Sequence, residues 1–96
     1  MIESFGNRLA EDMFYGRRSK AARALSVELL TAARRKLLYV HDAAETRDFR
    51  VPGNNKLESL KGRWQGFYSI RINDQWNLIF RFERGTALDA AVVGYP

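Results

Sequence analysis

The chain has 96 residues, of which 46% are hydrophobic and 28% charged, and carries a net charge of +5. That is enough for one small domain over residues 1–96, with roughly 60–70% of the unfolded surface buried. There is no cysteine and one histidine, which excludes disulfides and thiolate sites and argues against zinc. No apolar run approaches the roughly 18 residues that span a bilayer, and no basic stretch followed by an apolar run opens the sequence, so the expectation is a cytoplasmic protein without membrane contact. The positive charge favours a polyanionic partner such as nucleic acid, a ribosome or an acidic protein.

Residues 1–5 read as a short edge strand. Asn7 is a suitable N-cap for a helix through Tyr15, with Leu9 and Met13 on one face and Gly16 as its stop. A basic cluster follows: Arg17, Arg18, Lys20 and Arg23. Ser19 is expected to cap a second, longer helix with a stripe of Leu30, Ala33, Leu37, Val40 and Ala44. Arg34, Arg35 and Lys36 lie mostly off that stripe. Most simply they are a wet face, and otherwise they contact ribosomal RNA or an acidic partner. Glu11, Asp12 and Glu28 read as solvated helix charges, and His41 as a helix-end histidine stabilised by the dipole.

Residues 46–62 read as irregular, with a short strand near 49–51 and a turn at Pro52 and Gly53. Strands follow at 66–73, 75–83 and 87–94, with a hairpin turn at Glu83, Arg84 and Gly85. In the first hairpin Tyr68, Ile70, Ile72, Trp76, Leu78, Phe80 and Phe82 alternate with Phe67, Ser69, Arg71, Asn77, Ile79 and Arg81. A loop of Asn73, Asp74 and Gln75 pairs Ile72 with Trp76, Ile70 with Leu78 and Tyr68 with Phe80, keeping the apolar set on one face. A shorter loop would mix the faces, which burial opposes. Arg71 then stands opposite Asn77 on a polar face suited to a phosphate backbone. Trp76 alternates with the core, whereas Trp64 lies in the loop beside Lys61 and is a candidate to stack on a base.

The segments RVPGNNKLESLKG and GFYSIRINDQWNLIFRFERGTALDAAVV resemble HigB-type toxins of the RelE/ParE superfamily. The resemblance implies an α+β fold in which two N-terminal helices pack on a small, curved, mainly antiparallel sheet. It implies the toxin of a type II toxin–antitoxin module, a ribosome-dependent mRNA endonuclease that enters the ribosomal A site and inhibits translation without a cofactor. The implied partner is a helix-turn-helix antitoxin, through which alone the toxin meets operator DNA. Lys61 in Leu-Lys-Gly matches a functional lysine of the family, and Tyr95 matches the tyrosine of its Asp-Tyr-His tail. Arg71 is the candidate phosphate ligand of the sheet face. Lys56, Arg63, Trp64 and Arg81 are candidate RNA contacts, although Arg81 also suits an edge-solubilising role.

Metal-free RNA cleavage uses the substrate's 2′-OH as nucleophile. It needs a base, an acid and positive charge on the phosphate, with general acid–base steps contributing about 10²–10⁴-fold each. The sequence departs from the family at Asn77, where arginine usually follows Gln-Trp, and at Gly94 and Pro96, which flank Tyr95 in place of aspartate and histidine. The expectation is an attenuated enzyme. The alternative is a catalytically inactive homologue that binds antitoxin, ribosome or both. A gyrase-poisoning toxin is disfavoured by the Leu-Lys-Gly and Ile-Asn-Asp-Gln-Trp motifs.

Overall fold

The computed structural model describes residues 1–50 and 57–94. Helix α1 (Arg8–Tyr15) starts where Asn7 Oδ1 accepts the Ala10 N–H at 3.0 Å, and ends at Gly16 in the left-handed region, φ 70°. The Arg17 N–H then returns to the Asp12 carbonyl at 2.8 Å, closing the helix with a second reverse bond. The expected long second helix is two helices. A single turn, α2 (Lys20–Arg23), is capped by Ser19. Ser26 then caps α3 (Val27–Asp42) afresh by accepting the Leu29 N–H at 3.1 Å. A serine inside an apolar helical pattern offers the backbone this alternative bond, and here the chain takes it.

Four strands follow: β1 (Glu58–Ser59), β2 (Phe67–Arg71), β3 (Trp76–Glu83) and β4 (Thr86–Gly94). They form one antiparallel sheet in the order β1-β2-β3-β4. The register of β2 on β3 is the one burial demands, with Tyr68 opposite Phe80, Ile70 opposite Leu78 and Arg71 opposite Asn77. The β3–β4 turn places both Arg84 (φ 50°) and Gly85 (φ 78°) at positive φ, with Glu83 paired to Thr86, as a two-residue hairpin requires.

β4 carries a bulge. Ile79 pairs with Ala91 but Arg81 with Leu88, so Asp89 and Ala90 together face Phe80, and Asp89 takes a left-handed conformation at φ 55°. The extra residue puts Ala87, Ala90 and Val92 all in the core. It also forms the seat for the N-terminal segment, which runs parallel to β4 through bridges of Ile2 to Ala87 and Phe5 to Ala90. Ser4 Oγ accepts the Asp89 N–H at 2.8 Å. A Cβ at Gly6 would come within 2.6 Å of the Asp89 carbonyl oxygen, so glycine is needed there for close approach.

α1 and α3 pack on the inner face of the sheet, where Leu37, Val40, Ile70, Leu78, Phe80 and Val92 are essentially solvent-free. On α3 the buried stripe is Leu29, Ala33, Leu37 and Val40, continuing into Ala43; Leu30 and Ala44 lie to its side. Phe49 belongs to a 3₁₀ turn (Thr46–Arg50), not to a strand, and its ring meets Phe80 and Phe82 at 5.1 and 5.0 Å. Val51 and the turn expected at 52–55 lie outside the described residues. Asp12, read as a solvated charge, is 1% exposed, with Oδ1 3.8 Å from Arg17 and 3.9 Å from Arg8. His41 Nδ1 accepts the Ile2 N–H at 3.1 Å while its ring packs on Phe14. The histidine thus ties the N-terminal segment to α3, a structural role more specific than the expected dipole contact. Among the described residues no helix is long and apolar enough to cross a membrane.

Candidate nucleic-acid interface

On the sheet face opposite the helices, three cross-strand rows run over β2, β3 and β4. They are Arg71–Asn77–Val93, Ser69–Ile79–Ala91 and Phe67–Arg81–Leu88. The middle of this face is not wet: Ser69, Asn77, Ile79 and Ala91 are all buried. Asn77 Nδ2 donates to Ser69 Oγ at 2.6 Å, so this side chain is turned inward onto its neighbour. The cations occupy diagonal corners, and each has an acid. Arg71 reaches Asp74 Oδ1 at 2.6 Å and the Asn73 carbonyl at 3.2 Å. Arg81 Nε lies 3.2 Å from Asp89 Oδ2, the bulge residue of β4.

The β2–β3 loop that holds Arg71 is built by Asn73. Its Oδ1 accepts both the Gln75 and Trp76 N–H groups, at 2.8 and 2.9 Å, a turn for which asparagine is well suited. At the other end of β2, Lys61 is extended and precedes a 3₁₀ turn (Gly62–Trp64). Gly62 and Gly66 stand at φ 67° and 94°, letting the loop fold back so that the Leu60 N–H meets the Phe67 carbonyl at 2.9 Å. The Trp64 ring meets Phe67 edge-on at 5.3 Å, and the Arg63 guanidinium lies 5.7 Å from the Trp64 ring centroid. Lys61, Gln65, Phe67 and Tyr68 line an open cleft of about 490 Å³.

The structure therefore sorts the sequence-derived residues into two groups. Lys61, Arg63 and Trp64 gather near the Phe67 end of β2, where Arg81 is the cross-strand partner of Phe67. Arg71 and Asn77 form the other end, about 13 Å away along the strand at ~3.3 Å per residue. Gly94, the last described residue, sits opposite Trp76, next to Asn77. Lys56, Tyr95 and Pro96 lie outside the described residues. Sequence reasoning missed Asp74, Ser69, Asp89 and Gln65. An acid three residues after Arg71 in a tight turn was a usable signal for Asp74; the bulge that brings Asp89 to Arg81 left none. On the helical side Arg34 and Arg35 are exposed, whereas Lys36 is partly buried, and that burial, aided by Arg35, lowers its pKa. Among the described residues no three acidic or histidine side chains are grouped as metal ligands would be.

Residues 4–93 match the family described as RelE-like toxin of type II toxin-antitoxin system HigB. Toxin HigB-1 of Vibrio cholerae is 37% identical over 70 residues, covering 73% of this chain and 74% of that protein. An uncharacterized Haemophilus influenzae protein is 41% identical over 49 residues, 51% of this chain and 48% of its own length. Among solved structures, the Staphylococcus aureus YoeB-YefM complex aligns at a TM-score of 0.60 with 21% identity, covering 100% of this chain and 98% of the other. Escherichia coli YafQ aligns at 0.60 with 16% identity, covering 98% and 91%. The α+β fold is thus shared with proteins only 16–21% identical in sequence. With the family matched from the N-terminal segment through β4, this chain belongs to the HigB-like toxins, RelE-like toxins of type II toxin–antitoxin systems.

Proposed function

We propose that the protein is an mRNA endonuclease that acts on translating ribosomes and halts protein synthesis, with activity attenuated relative to its family. The observation that carries this reading is the disposition of Lys61 and Arg71 at the two ends of β2, on either side of a middle row of Ser69, Ile79 and Ala91 that carries no charge. A single RNA strand laid along β2 would meet a cation at each end. The 2′-OH of one nucleotide would attack its own 3′-phosphorus, releasing the 5′-oxygen of the next nucleotide and leaving a cyclic phosphate. Nucleophile and leaving group both belong to the RNA, so the reaction needs no cofactor. Lys61 and Arg71 would each hold a phosphate of that strand and offset negative charge there, Arg through its planar fork. Tyr95 would assist at the base, and Lys56, Arg63, Trp64 and Arg81 would grip the flanking strand.

Attenuation follows from Asn77 and Gly94. A neutral amide committed to Ser69 supplies no charge to the transition state, and a glycine supplies no proton. Losing one such contact costs about 3–4 kcal/mol of transition-state stabilisation. The partner is a helix-turn-helix antitoxin that carries the complex to operator DNA. The S. aureus YoeB-YefM complex supports an antitoxin partner by analogy. A soluble, cytoplasmic location fits a ribosomal target.

The test is mapping of mRNA 5′ ends on translating ribosomes with purified protein. Cleavage within codons that falls at least tenfold in Lys61→Ala and Arg71→Ala is expected. Undiminished cleavage in both variants overturns the residue roles, and absence of cleavage at high protein overturns the activity. The second reading, an inactive homologue that binds antitoxin or ribosome, is favoured by one observation: Arg71 and Asn77 are both engaged within the protein. Tight antitoxin binding without cleavage would establish it.

A further inference from the structure

We infer that the cleft beside Lys61 is a nucleobase pocket, which takes one unpaired base of single-stranded RNA and reads its edge with Gln65. This deepens the proposed function and rests on that reading for its substrate. The cleft of about 490 Å³ lies where the short β1 ends, beside Ser59, which pairs with Tyr68, and Leu60, whose N–H meets the Phe67 carbonyl. Phe67 and Tyr68 both line it, so aromatic residues border the cleft beside the polar ones. Its volume falls within the range of small-ligand sites, which runs from about 300 to 1,000 Å³.

The polar lining has a particular chemistry. Lys61 supplies an ammonium, Gln65 an amide with both donor and acceptor, and Ser59 a hydroxyl. Among the described residues no carboxylate lines the cleft, which fits an anionic ligand. An amide beside aromatic surface is the combination that recognises a base: the ring face stacks and the edge exchanges paired hydrogen bonds. The ammonium then meets the phosphate of the same nucleotide. The loop is shaped to leave this space open. Gly62 and Gly66 have nothing within 4 Å of where a Cβ would stand, so they serve the positive φ of the turn and do not fill the cleft. Trp64 packs edge-on against Phe67, and the Arg63 guanidinium lies over the Trp64 ring. A phosphate-only site would need none of the aromatic lining, and an apolar ligand would not need Lys61 and Gln65.

The experiment is fluorescence polarisation with two labelled seven-residue oligomers that cannot be cleaved. One is 2′-O-methyl RNA of mixed sequence. The other has the same backbone with every base replaced by an abasic spacer. The full-length protein is expected to bind the base-bearing oligomer at least about tenfold more tightly, from one stacked base. Gln65→Ala and Phe67→Leu reduce that ratio several-fold, while Lys61→Ala weakens both oligomers and leaves the ratio near its original value. Gln65 is exposed, so its variant keeps the fold; circular dichroism checks Phe67→Leu. Equal affinity for the two oligomers overturns the pocket, as does a ratio unmoved by Gln65→Ala or failure to bind either oligomer at millimolar concentration. Base discrimination without ribosomal cleavage would keep the pocket and discard the nuclease, whereas cleavage without discrimination would do the reverse.

Discussion

The Arg71 guanidinium is held by the Asp74 carboxylate at 2.6 Å, across the turn that joins β2 to β3. Asp74 itself is 95% exposed, so the pair sits at the surface and an incoming phosphate competes with the carboxylate directly. An exposed pair of this kind is worth about 0–1 kcal/mol. Asp74→Asn is therefore expected to strengthen RNA binding by up to about fivefold, and to steepen its salt dependence by up to ~0.7 in the log–log slope as one more phosphate contact forms. Affinity for a single-stranded oligomer measured across a salt series checks this. Affinity and slope both unchanged would mean that Asp74 does not compete with RNA for Arg71.

Under the proposed function Asn77 and Gly94 are the positions where charge and proton transfer are missing, and Gly94 has room for a side chain. A Cβ at Gly94 would stand 3.6 Å from the Gln75 carbonyl oxygen and from the Trp76 ring, ordinary contact distances. Asn77→Arg is less free, because it removes the buried bond to Ser69, at a cost of about 1 kcal/mol. The double variant Asn77→Arg, Gly94→Asp is expected to melt slightly lower yet arrest growth more strongly on induction. Growth curves beside a melting measurement separate the effects. A stable double variant with no added toxicity would remove attenuation at these two positions as the explanation.

The register of β2 on β3 was legible because a one-residue slip would turn Ile70, Leu78 and Phe80 toward water. The caps at Asn7, Gly16 and Ser19 were legible for the same local reason: each satisfies backbone groups within a few residues. What was not legible depends on distant partners. Asp12 looks like any surface acid until α1 is packed, and Ile2 meets His41 only because the bulge at Asp89 seats the N-terminal segment. The candidate site was half legible. Alternation placed Arg71 and Arg81 on one face, but it could not show that Asp74 and Asp89 would meet them, nor that Gln65 and Lys61 would share a cleft.

Asn7 joins two layers of the fold. Its Oδ1 caps α1 through the Ala10 N–H and also receives the Val92 N–H at 3.4 Å, while its Nδ2 donates to the Val92 carbonyl at 2.9 Å. Asn7→Ala is expected to lose about 1 kcal/mol for the cap and about 1 kcal/mol more for the bond into β4. Asn7→Ser keeps the cap but cannot span to Val92, so it should lose only the second part. Urea unfolding of the three proteins measures both losses, and equal destabilisation by the two substitutions would contradict the division.

Asp48 contributes to the acid limb of stability. Its Oδ2 accepts the Ala44 and Glu45 N–H groups at 2.9 and 3.0 Å, just beyond the end of α3. The Glu45 bond, then the Ala44 bond, hold the carboxyl below its ordinary value, with a smaller contribution from nearby Arg47. A carboxylate whose pKa is lower in the folded than in the unfolded chain adds stability that is fully present above the unfolded value, near 3.9, and is lost as pH falls through the folded one. Asp48→Asn cannot titrate, so it should be less stable than the parent at neutral pH, with the gap narrowing steadily as pH falls below about 5. Melting temperatures of both proteins across that range provide the check; a gap that stayed constant with pH would show that ionisation of Asp48 plays no part.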